Sequence, residues 1–273
     1  MIADWDDAYA NAAHIPGGDE FPARWAAAAK AFRAGMDGQL REGIPYGAHP
    51  RQRFDLFLPR GTPAGLVVFV HGGYWRAFDR GDWSHLAAGP LARGWAVAIP
   101  GYVLAPEARI AAITAMIREA LAAAAAEVKG PIRLAGHSAG GHLVARQLCA
   151  DSLLPEAVLA RIERVVPISG LFDLRPLLRH QLNATLRLDL PEARMQSPAL
   201  LEVRAAAVPV HVWAGAGERP EFVRQSELLA NVWAGLGIDT RLTIEPGRHH
   251  FDVIGGLADP ASDLLEAVIG AAA

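Results

Sequence analysis

Apolar residues recur along the chain in short uninterrupted runs that alternate with longer amphipathic stretches. Leu66–Val70 is such a run, rich in β-branched and aromatic residues and flanked by glycines. Runs of this kind are typical of strands that are buried on both faces of a parallel sheet. The same pattern predicts strands at Trp95–Pro100, Ile132–Ala135, Val165–Ile168, Val208–Trp213 and Thr240–Ile244. Alternation of apolar and polar residues predicts one more, half-buried strand at Arg53–Pro59.

The stretches between these runs have helical periodicity. In Phe21–Met36, the residues Trp25, Ala28, Ala29 and Phe32 fall on one helical face. Further helices are expected at Trp83–Arg93, Ala108–Lys129, Ala139–Ala150, Glu221–Leu236 and Ala261–Ile269. Because strands and helices alternate, the pattern predicts an α/β fold with an open, doubly wound, mostly parallel sheet and helices on both of its faces.

Two stretches depart from this alternation and are expected to form a small cap. Residues 1–45 precede the first strand and contain the helix at Phe21–Met36, so we interpret them as an N-terminal helical cap segment. Residues 171–207 carry Pro176, Pro191 and Pro198 among short apolar patches. In a doubly wound fold such an insertion is expected over the carboxyl edge of the sheet, where ligands bind. We therefore predict a single domain, residues 1–273, with its active site beneath this insertion.

Composition and charge exclude several partners. The chain has 26 Lys and Arg residues against 29 Asp and Glu residues, a net charge of -3. No basic footprint suited to nucleic acid or to an anionic membrane surface is expected from this balance. The most apolar long stretch, residues 110–128, contains Arg118, Glu119 and Glu127 and is not expected to span a membrane. The acidic start of the chain lacks the apolar core of a secretory signal, so a cytoplasmic location is expected.

Metal and disulfide chemistry receive no support from the sequence. Cys149 is the only cysteine, which excludes an intramolecular disulfide and a multi-thiolate metal site, and we expect it to be a buried spectator. The chain contains no H-E-x-x-H motif. We therefore expect neither a catalytic metal nor another cofactor.

A G-x-S-x-G motif marks the first chemical element of the candidate site. It reads Gly136-His137-Ser138-Ala139-Gly140 and stands between a predicted strand and a predicted helix. In that context a sharp strand-to-helix turn exposes the serine side chain above the sheet, and glycines permit the close backbone approach. The context favours Ser138 as a nucleophile over a plain small-residue turn.

A second motif, His71-Gly72-Gly73-Tyr74-Trp75, directly follows the predicted strand Leu66–Val70. In a serine hydrolase with this chain order, an amide from this loop and the amide after the nucleophile stabilise the oxyanion. We expect the amides of Gly73 and Ala139 to do so, with Gly72 shaping the loop. Tyr74 and Trp75 are candidates for an aromatic wall against the substrate, although Trp75 could equally pack beneath the loop.

The third element is an acid followed by a histidine, the order Ser, Asp/Glu, His of such hydrolases. Glu218 lies in the turn after the predicted strand Val208–Trp213 and is the preferred acid. Glu221 is the alternative, but it stands where the next helix begins and suits a first-turn acid. His249 and His250 both lie in the loop after the last strand, and physical chemistry alone does not decide which of them is the general base.

Taken together, these motifs resemble the α/β-hydrolase superfamily, in particular the kynurenine formamidase (arylformamidase) branch and its bacterial esterase relatives. The resemblance runs from about Tyr46 to the last helix. It rests on the two motifs above and on the segments Ile168–Leu174, Pro220–Ser226 and His250–Asp252.

The resemblance implies Ser138 as nucleophile, His250 as base and Glu218 as acid, where relatives typically carry Asp. It also implies that Tyr102 and Leu104–Glu107 belong to a loop without catalytic duty.

The implied activity is hydrolysis of a small ester or an aryl formamide such as N-formyl-kynurenine, through an acyl-serine and without a cofactor. A general short-chain carboxylesterase is the alternative, and a binding protein on the same scaffold or a Rossmann oxidoreductase is less well supported. The oxidoreductase lacks its G-x-G-x-x-G motif here. Arg219 and Arg248 are candidates to meet a substrate carboxylate. The expected partner is this small molecule, and formation of a homodimer stays open.

Overall fold

An eight-stranded sheet lies at the centre of the computed structural model, which describes residues 4–204 and 207–270. Its strands follow the order β1-β2-β4-β3-β5-β6-β7-β8, in which β1, β2 and β4 pair antiparallel and all other neighbours pair parallel. The strands are β1 Leu40–Pro45, β2 Arg53–Phe57, β3 Leu66–Val70, β4 Ala96–Pro100, β5 Ile132–His137, β6 Ile162–Ile168, β7 Val210–Gly215 and β8 Thr240–Glu245. The predicted mostly parallel α/β sheet is therefore confirmed.

Helices cover both faces of this sheet. Those that bracket the strands along the chain lie close to their predicted ranges. The α-helices are α1 Trp5–Ala8, α2 Phe21–Ala34, α3 Ala88–Ala92, α4 Ile110–Glu127, α5 Ala139–Arg146, α6 Glu156–Leu159, α7 Asn183–Leu186, α8 Leu190–Met195, α9 Pro220–Gly235 and α10 Asp263–Ile269. Short 3-10 helices lie at Ala12–His14, Gly18–Glu20, Arg80–Ala87, Arg175–Arg179, Pro198–Leu200 and Val253–Ala258.

The edge strand β1 corrects the interpretation of residues 1–45 as a helical segment. Residues 40–45 pair with β2 instead, and the pairing is irregular between Arg41 and Ile44. Gly43 has a φ of 63° in this irregular stretch, a conformation that favours glycine. Because the strand is irregular and half of its residues are exposed, its sequence has no clear two-residue period. Residues 1–3 of that segment, and residues 205–206 of the predicted insertion, lie outside the described ranges.

Strand β2 is buried on both faces, which corrects its predicted alternation. Asp55, the polar residue of that alternation, is only 1% exposed. Its carboxylate pairs with Arg33 at 2.7 Å and with Arg80 at 3.0 Å, and it accepts a hydrogen bond from the amide of Gly43. Two guanidinium partners and an amide compensate the cost of burying the charge. An aspartate among apolar neighbours therefore marked a buried ion pair.

The hydrophobic core lies on both sides of the sheet. On one side α4, α5 and α9 pack over inward residues such as Val68 and Leu134. On the other side α2, the 3-10 helix Arg80–Ala87 and α10 pack over Val67 and Ala135. No helix of the described ranges is both long and apolar enough to cross a membrane. Packing on both faces fixes the strands, so that the loops at their carboxyl ends have a rigid base.

Candidate active site

Ser138 lies in a sharp turn between β5 and α5. Its backbone has φ 55° and ψ -117°, a strained conformation for a residue with a side chain. The turn is possible because its neighbours are glycines: a Cβ on Gly136 would lie 2.3 Å from the oxygen of Gly140, and a Cβ on Gly140 would lie 1.9 Å from the oxygen of Val70. The amide of Ser138 donates to the Ile168 carbonyl of the next strand at 2.8 Å. The serine is therefore held by the sheet itself.

The loop after β3 runs beside this turn. His71 is fully buried, and burial lowers its pKa to about 4, so the imidazole is neutral at pH 7. Its Nδ1 donates to the Gly72 carbonyl at 2.8 Å. In a trans peptide the C=O and N–H groups point in opposite directions, so this bond aims the Gly73 amide away from His71. Tyr102 stacks on the His71 ring at 4.4 Å, and its hydroxyl donates to the His71 carbonyl at 3.0 Å.

Two amides of the candidate oxyanion hole are free of other partners. The Gly73 and Ala139 amides donate no hydrogen bond within the described ranges. Ala139 is the first residue of α5, where the amide has no partner within the helix and the helix dipole favours a negative charge. Gly72 lies against the nucleophile turn, since a Cβ on it would be 3.0 Å from Ser138 Cβ. The arrangement leaves both donors available to an oxyanion.

Glu218 and His250 form a buried pair at the carboxyl ends of β7 and β8. His250 Nδ1 donates to Glu218 Oε2 at 2.6 Å, and both side chains are almost wholly buried. The other carboxylate oxygen, Oε1, accepts from the Gly215 amide at 2.7 Å and from Ser169 Oγ at 2.5 Å. Three donors therefore fix the acid, and the acid fixes the orientation and tautomer of the imidazole.

His250 is also held through its backbone. His137 Nε2 donates to the His250 carbonyl at 2.8 Å. Burial lowers the pKa of His137 well below its usual value, and the neighbouring His250 lowers it further, so this donor is neutral. His250 Nε2 and Ser138 Oγ share no hydrogen bond in the described ranges, although both residues line one cavity. This contact is often long in a substrate-free enzyme.

The alternative acid and the alternative histidine are engaged elsewhere. Glu221, on the first turn of α9, accepts from the Tyr9 hydroxyl at 2.6 Å and pairs with Arg224. His249 Nδ1 lies 3.2 Å from Asp252 and accepts backbone hydrogen bonds of its own loop. The geometry therefore favours Glu218 and His250.

A cavity of about 480 Å³ opens beside Ser138. One side of it is aromatic and is formed by Trp25, Phe78, Trp83 and Phe251. The Trp25 ring lies 4.7 Å from that of Trp83, 5.3 Å from that of Phe251 and 5.8 Å from that of Phe78. Sequence analysis missed this wall, because periodicity assigned Trp25 only to the packing face of a helix.

The N-terminal segment, residues 4–20, forms another side of the cavity and meets residues 180–182 there. Asp6 accepts a hydrogen bond from the Gln181 amide at 2.7 Å, and Asp7 pairs with Arg219. The hydroxyl of Tyr74 donates to the Tyr9 carbonyl at 2.7 Å. Both predicted cap stretches thus contribute to the cavity.

Not every predicted residue reaches the cavity. Tyr74 lines it, whereas Trp75 is fully buried, packs edge-on against His142 at 5.1 Å and is absent from the cavity wall. The expectation that Trp75 touches substrate is therefore corrected to a packing role beneath the loop. Cys149 is fully buried, and burial raises its pKa to about 11, as a spectator thiol requires.

The two arginines proposed for a substrate carboxylate also lie outside the cavity wall. Arg219 is held by Asp7, and Arg248 pairs with Glu245 at 3.2 Å. A different arginine, Arg76, lines the cavity instead. The signal for it was its place directly after the His71–Trp75 motif.

Comparisons with known proteins agree with this architecture. The family model BD-FAE matches residues 54–187. A kynurenine formamidase of Drosophila melanogaster is 30% identical over 228 residues, 78% of this chain and 76% of that protein. The crystal structure of a suggested thioesterase from Silicibacter is 52% identical, with a TM-score of 0.93 over 97% of this chain and 98% of that one. An esterase of Pyrobaculum calidifontis shares the fold at 20% identity, with a TM-score of 0.66 over 86% of this chain and 85% of that one.

Proposed function

We propose a serine-dependent mechanism for this chain, which belongs to the α/β-hydrolase superfamily and, within it, to the group of kynurenine formamidases and related esterases. The chain is a hydrolase by that membership. The finer proposal is that it cleaves a small ester or an aryl formamide through an acyl-serine intermediate, with Ser138, His250 and Glu218 as its triad. The observation that carries the proposal is the buried Glu218–His250 pair, because His250 lines the same cavity as Ser138.

In the first half-reaction Ser138 Oγ attacks the substrate carbonyl while His250 Nε2 takes its proton. Glu218 holds the proton of Nδ1 and stabilises the imidazolium that forms. The carbonyl oxygen becomes an oxyanion, which the Gly73 and Ala139 amides stabilise. Loss of one such donor typically costs about 3–4 kcal/mol of transition-state stabilisation.

Collapse of the tetrahedral intermediate breaks the bond to the leaving group. His250 gives the proton from Nε2 to the departing alcohol or amine, which leaves a neutral imidazole and an acyl-serine. Water then attacks the acyl carbon, His250 takes a proton from that water, and Ser138 leaves as the alcohol. The products are a carboxylic acid and the alcohol or amine.

The cavity supports an aromatic leaving group. A wall of indole and phenyl rings favours an aryl group by apolar burial and edge-on contacts. A formyl group on the serine is small, so the part of the cavity lined by aromatic rings remains free for the aryl amine. This is why an aryl formamide is our leading substrate class and a short-chain ester is the alternative.

The test compares N-formyl-kynurenine with a short-chain nitrophenyl ester, using the wild type and Ser138→Ala. We expect the formamide to have the higher kcat/KM and both activities to disappear in Ser138→Ala. If only the ester is cleaved, the proposed triad stands, but the substrate class is an ester rather than a formamide. A fluorophosphonate probe adds a substrate-free readout, because it labels an activated serine. Activity or labelling that survives in Ser138→Ala would refute the mechanism.

A further inference from the structure

Arg76 is the one arginine or lysine on the cavity wall in the described ranges. Nearby arginines are neutralised: Arg51 and Arg80 lie within 3.6 Å of Asp79, and Arg219 pairs with Asp7. Arg76 is exposed at the edge of this cavity and forms no ion pair among the described residues. Asp6 and Asp19 line the same cavity, but neither forms an ion pair with Arg76 in the described ranges, so the Arg76 charge is available to an anion.

The side chain of Arg76 belongs to the oxyanion loop. Its backbone amide donates to the Gly73 carbonyl at 3.0 Å, so the backbone of Arg76 is tied to the loop that carries the Gly73 amide. Burial raises the pKa of Tyr74 and lowers that of His180, and the Arg76 charge acts to lower both. Tyr74 and His180 come from different segments and line the same cavity as Arg76.

The acids of the cavity wall do not remove this charge. Asp6 accepts from the Gln181 amide and lies 3.3 Å from His180 Nδ1, so it already has partners. Asp19 is exposed and belongs, like Asp6, to the N-terminal segment. Neither lies on the loop of Arg76.

We propose that Arg76 binds a carboxylate of the substrate, so that the enzyme prefers aryl esters or formamides whose leaving group carries a carboxylate. This inference rests on the proposed function, since it places the leaving group in the aromatic cavity. A guanidinium can hold a carboxylate through two parallel hydrogen bonds, which fixes the orientation of the aryl group as well as its affinity. Arg76 is therefore a specificity-determining residue.

The test uses two substrates of equal shape and different charge, 3-carboxyphenyl acetate and its neutral analogue 3-carbamoylphenyl acetate. We expect the wild type to have the higher kcat/KM for the carboxylate. Arg76→Met should lower kcat/KM for the carboxylate about ten-fold or more, chiefly through KM, and leave the neutral analogue within about two-fold. Arg76→Lys should retain part of the preference, because the lysine ammonium keeps the positive charge but cannot form the two parallel hydrogen bonds of a guanidinium.

The matched control is Arg60→Met, which removes the same charge from an exposed turn outside this cavity. It should leave the preference of the wild type unchanged. If Arg76→Met lowers both substrates equally, or if Arg60→Met lowers the carboxylate as much, the assignment of Arg76 is refuted.

A binding measurement separates this proposal from the proposed function. Calorimetric titration of Ser138→Ala with benzoate and with benzamide needs no hydrolysis. Stronger binding of benzoate that disappears in the double variant Ser138→Ala, Arg76→Met supports the carboxylate site even where neither acetate is cleaved. Equal binding of the two ligands would refute the site, and failure of the wild type to hydrolyse any ester or formamide would refute the proposed function instead.

Discussion

Replacement of Glu218 by glutamine removes one charge and keeps the shape of the acid. The structure fixes which end of the amide faces which partner. The Gly215 amide and Ser169 Oγ both donate to Oε1, so the amide oxygen of glutamine takes that position. The amide nitrogen then takes the position of Oε2, 2.6 Å from His250 Nδ1. Since that nitrogen donates, Nδ1 must accept, and the imidazole proton moves to Nε2.

An imidazole with its proton on Nε2 cannot take the proton of Ser138. The same change of tautomer at the triad aspartate of a serine protease lowers kcat about 10⁴-fold. Four factors of ten correspond to about 5.5 kcal/mol of activation free energy. We expect a loss of this size in Glu218→Gln.

The assay is steady-state hydrolysis of a nitrophenyl ester, with thermal unfolding to show that the variant folds. Glu221→Gln is the matched control, because Glu221 is also a buried acid that accepts from a hydroxyl but does not contact His250. We expect it to retain kcat within about ten-fold. The assignment of the acid would be refuted if Glu218→Gln had a kcat within ten-fold of the wild-type value. It would also be refuted if Glu221→Gln lowered kcat as much as Glu218→Gln does.

Three further predictions follow from the geometry. Burial lowers the pKa of His71 to about 4 and that of His142 to about 3, so below pH 6.5 the unfolded chain binds more protons than the folded one. The free energy of unfolding should therefore fall by about 1.4 kcal/mol per pH unit for each residue once the pH is well below 6.5, until the pH reaches those folded values. Denaturant titration from pH 7 to 4.5 measures this fall, and a flat profile would contradict the burial of neutral histidines. Ser169→Ala removes one donor to the acid and should lower kcat roughly ten-fold with KM little changed, and unchanged kcat would show that the donor is dispensable. Gly140→Ala places a Cβ 1.9 Å from the Val70 carbonyl oxygen at the end of β3 and should lower the free energy of unfolding by about 3 kcal/mol or more. The control Gly81→Ala, whose Cβ meets no described atom within 4 Å, should leave the free energy of unfolding unchanged. Equal melting temperatures of the two variants would contradict the close packing at Gly140.

The parallel part of the fold was predictable because its strands are buried on both faces. A strand such as β3 has no polar residue, and its length and glycine borders separate it from a helix. The edge strand β1 gives no such signal, since half of its residues are exposed and an irregular pairing interrupts its period. Strand β2 was found with the wrong burial, because the partners that compensate Asp55 come from distant segments.

The candidate site was likewise predictable from the sequence only in part. Ser138 and the Gly72–Gly73 pair are recognisable from the sequence, because the sharp backbone turns at these positions require glycines at or beside them. The choice of His250 over His249 depends on which ring meets a buried carboxylate, and no local pattern reports that. The cavity wall could not be predicted, since Trp25 and Arg76 are distant in sequence and line one cavity only in the folded chain.

The division of labour between the sheet and the N-terminal segment has an evolutionary consequence. The groups that we propose to react stand on loops anchored to buried strands, where a substitution disturbs the core. Much of the cavity wall instead comes from residues 4–25, which precede the sheet in the chain and contribute no strand to it. A lineage can therefore exchange this wall, and with it the molecules admitted, while the machinery for acyl transfer is inherited intact. Relatives with formamidase, thioesterase and esterase names on one fold are what such inheritance would produce.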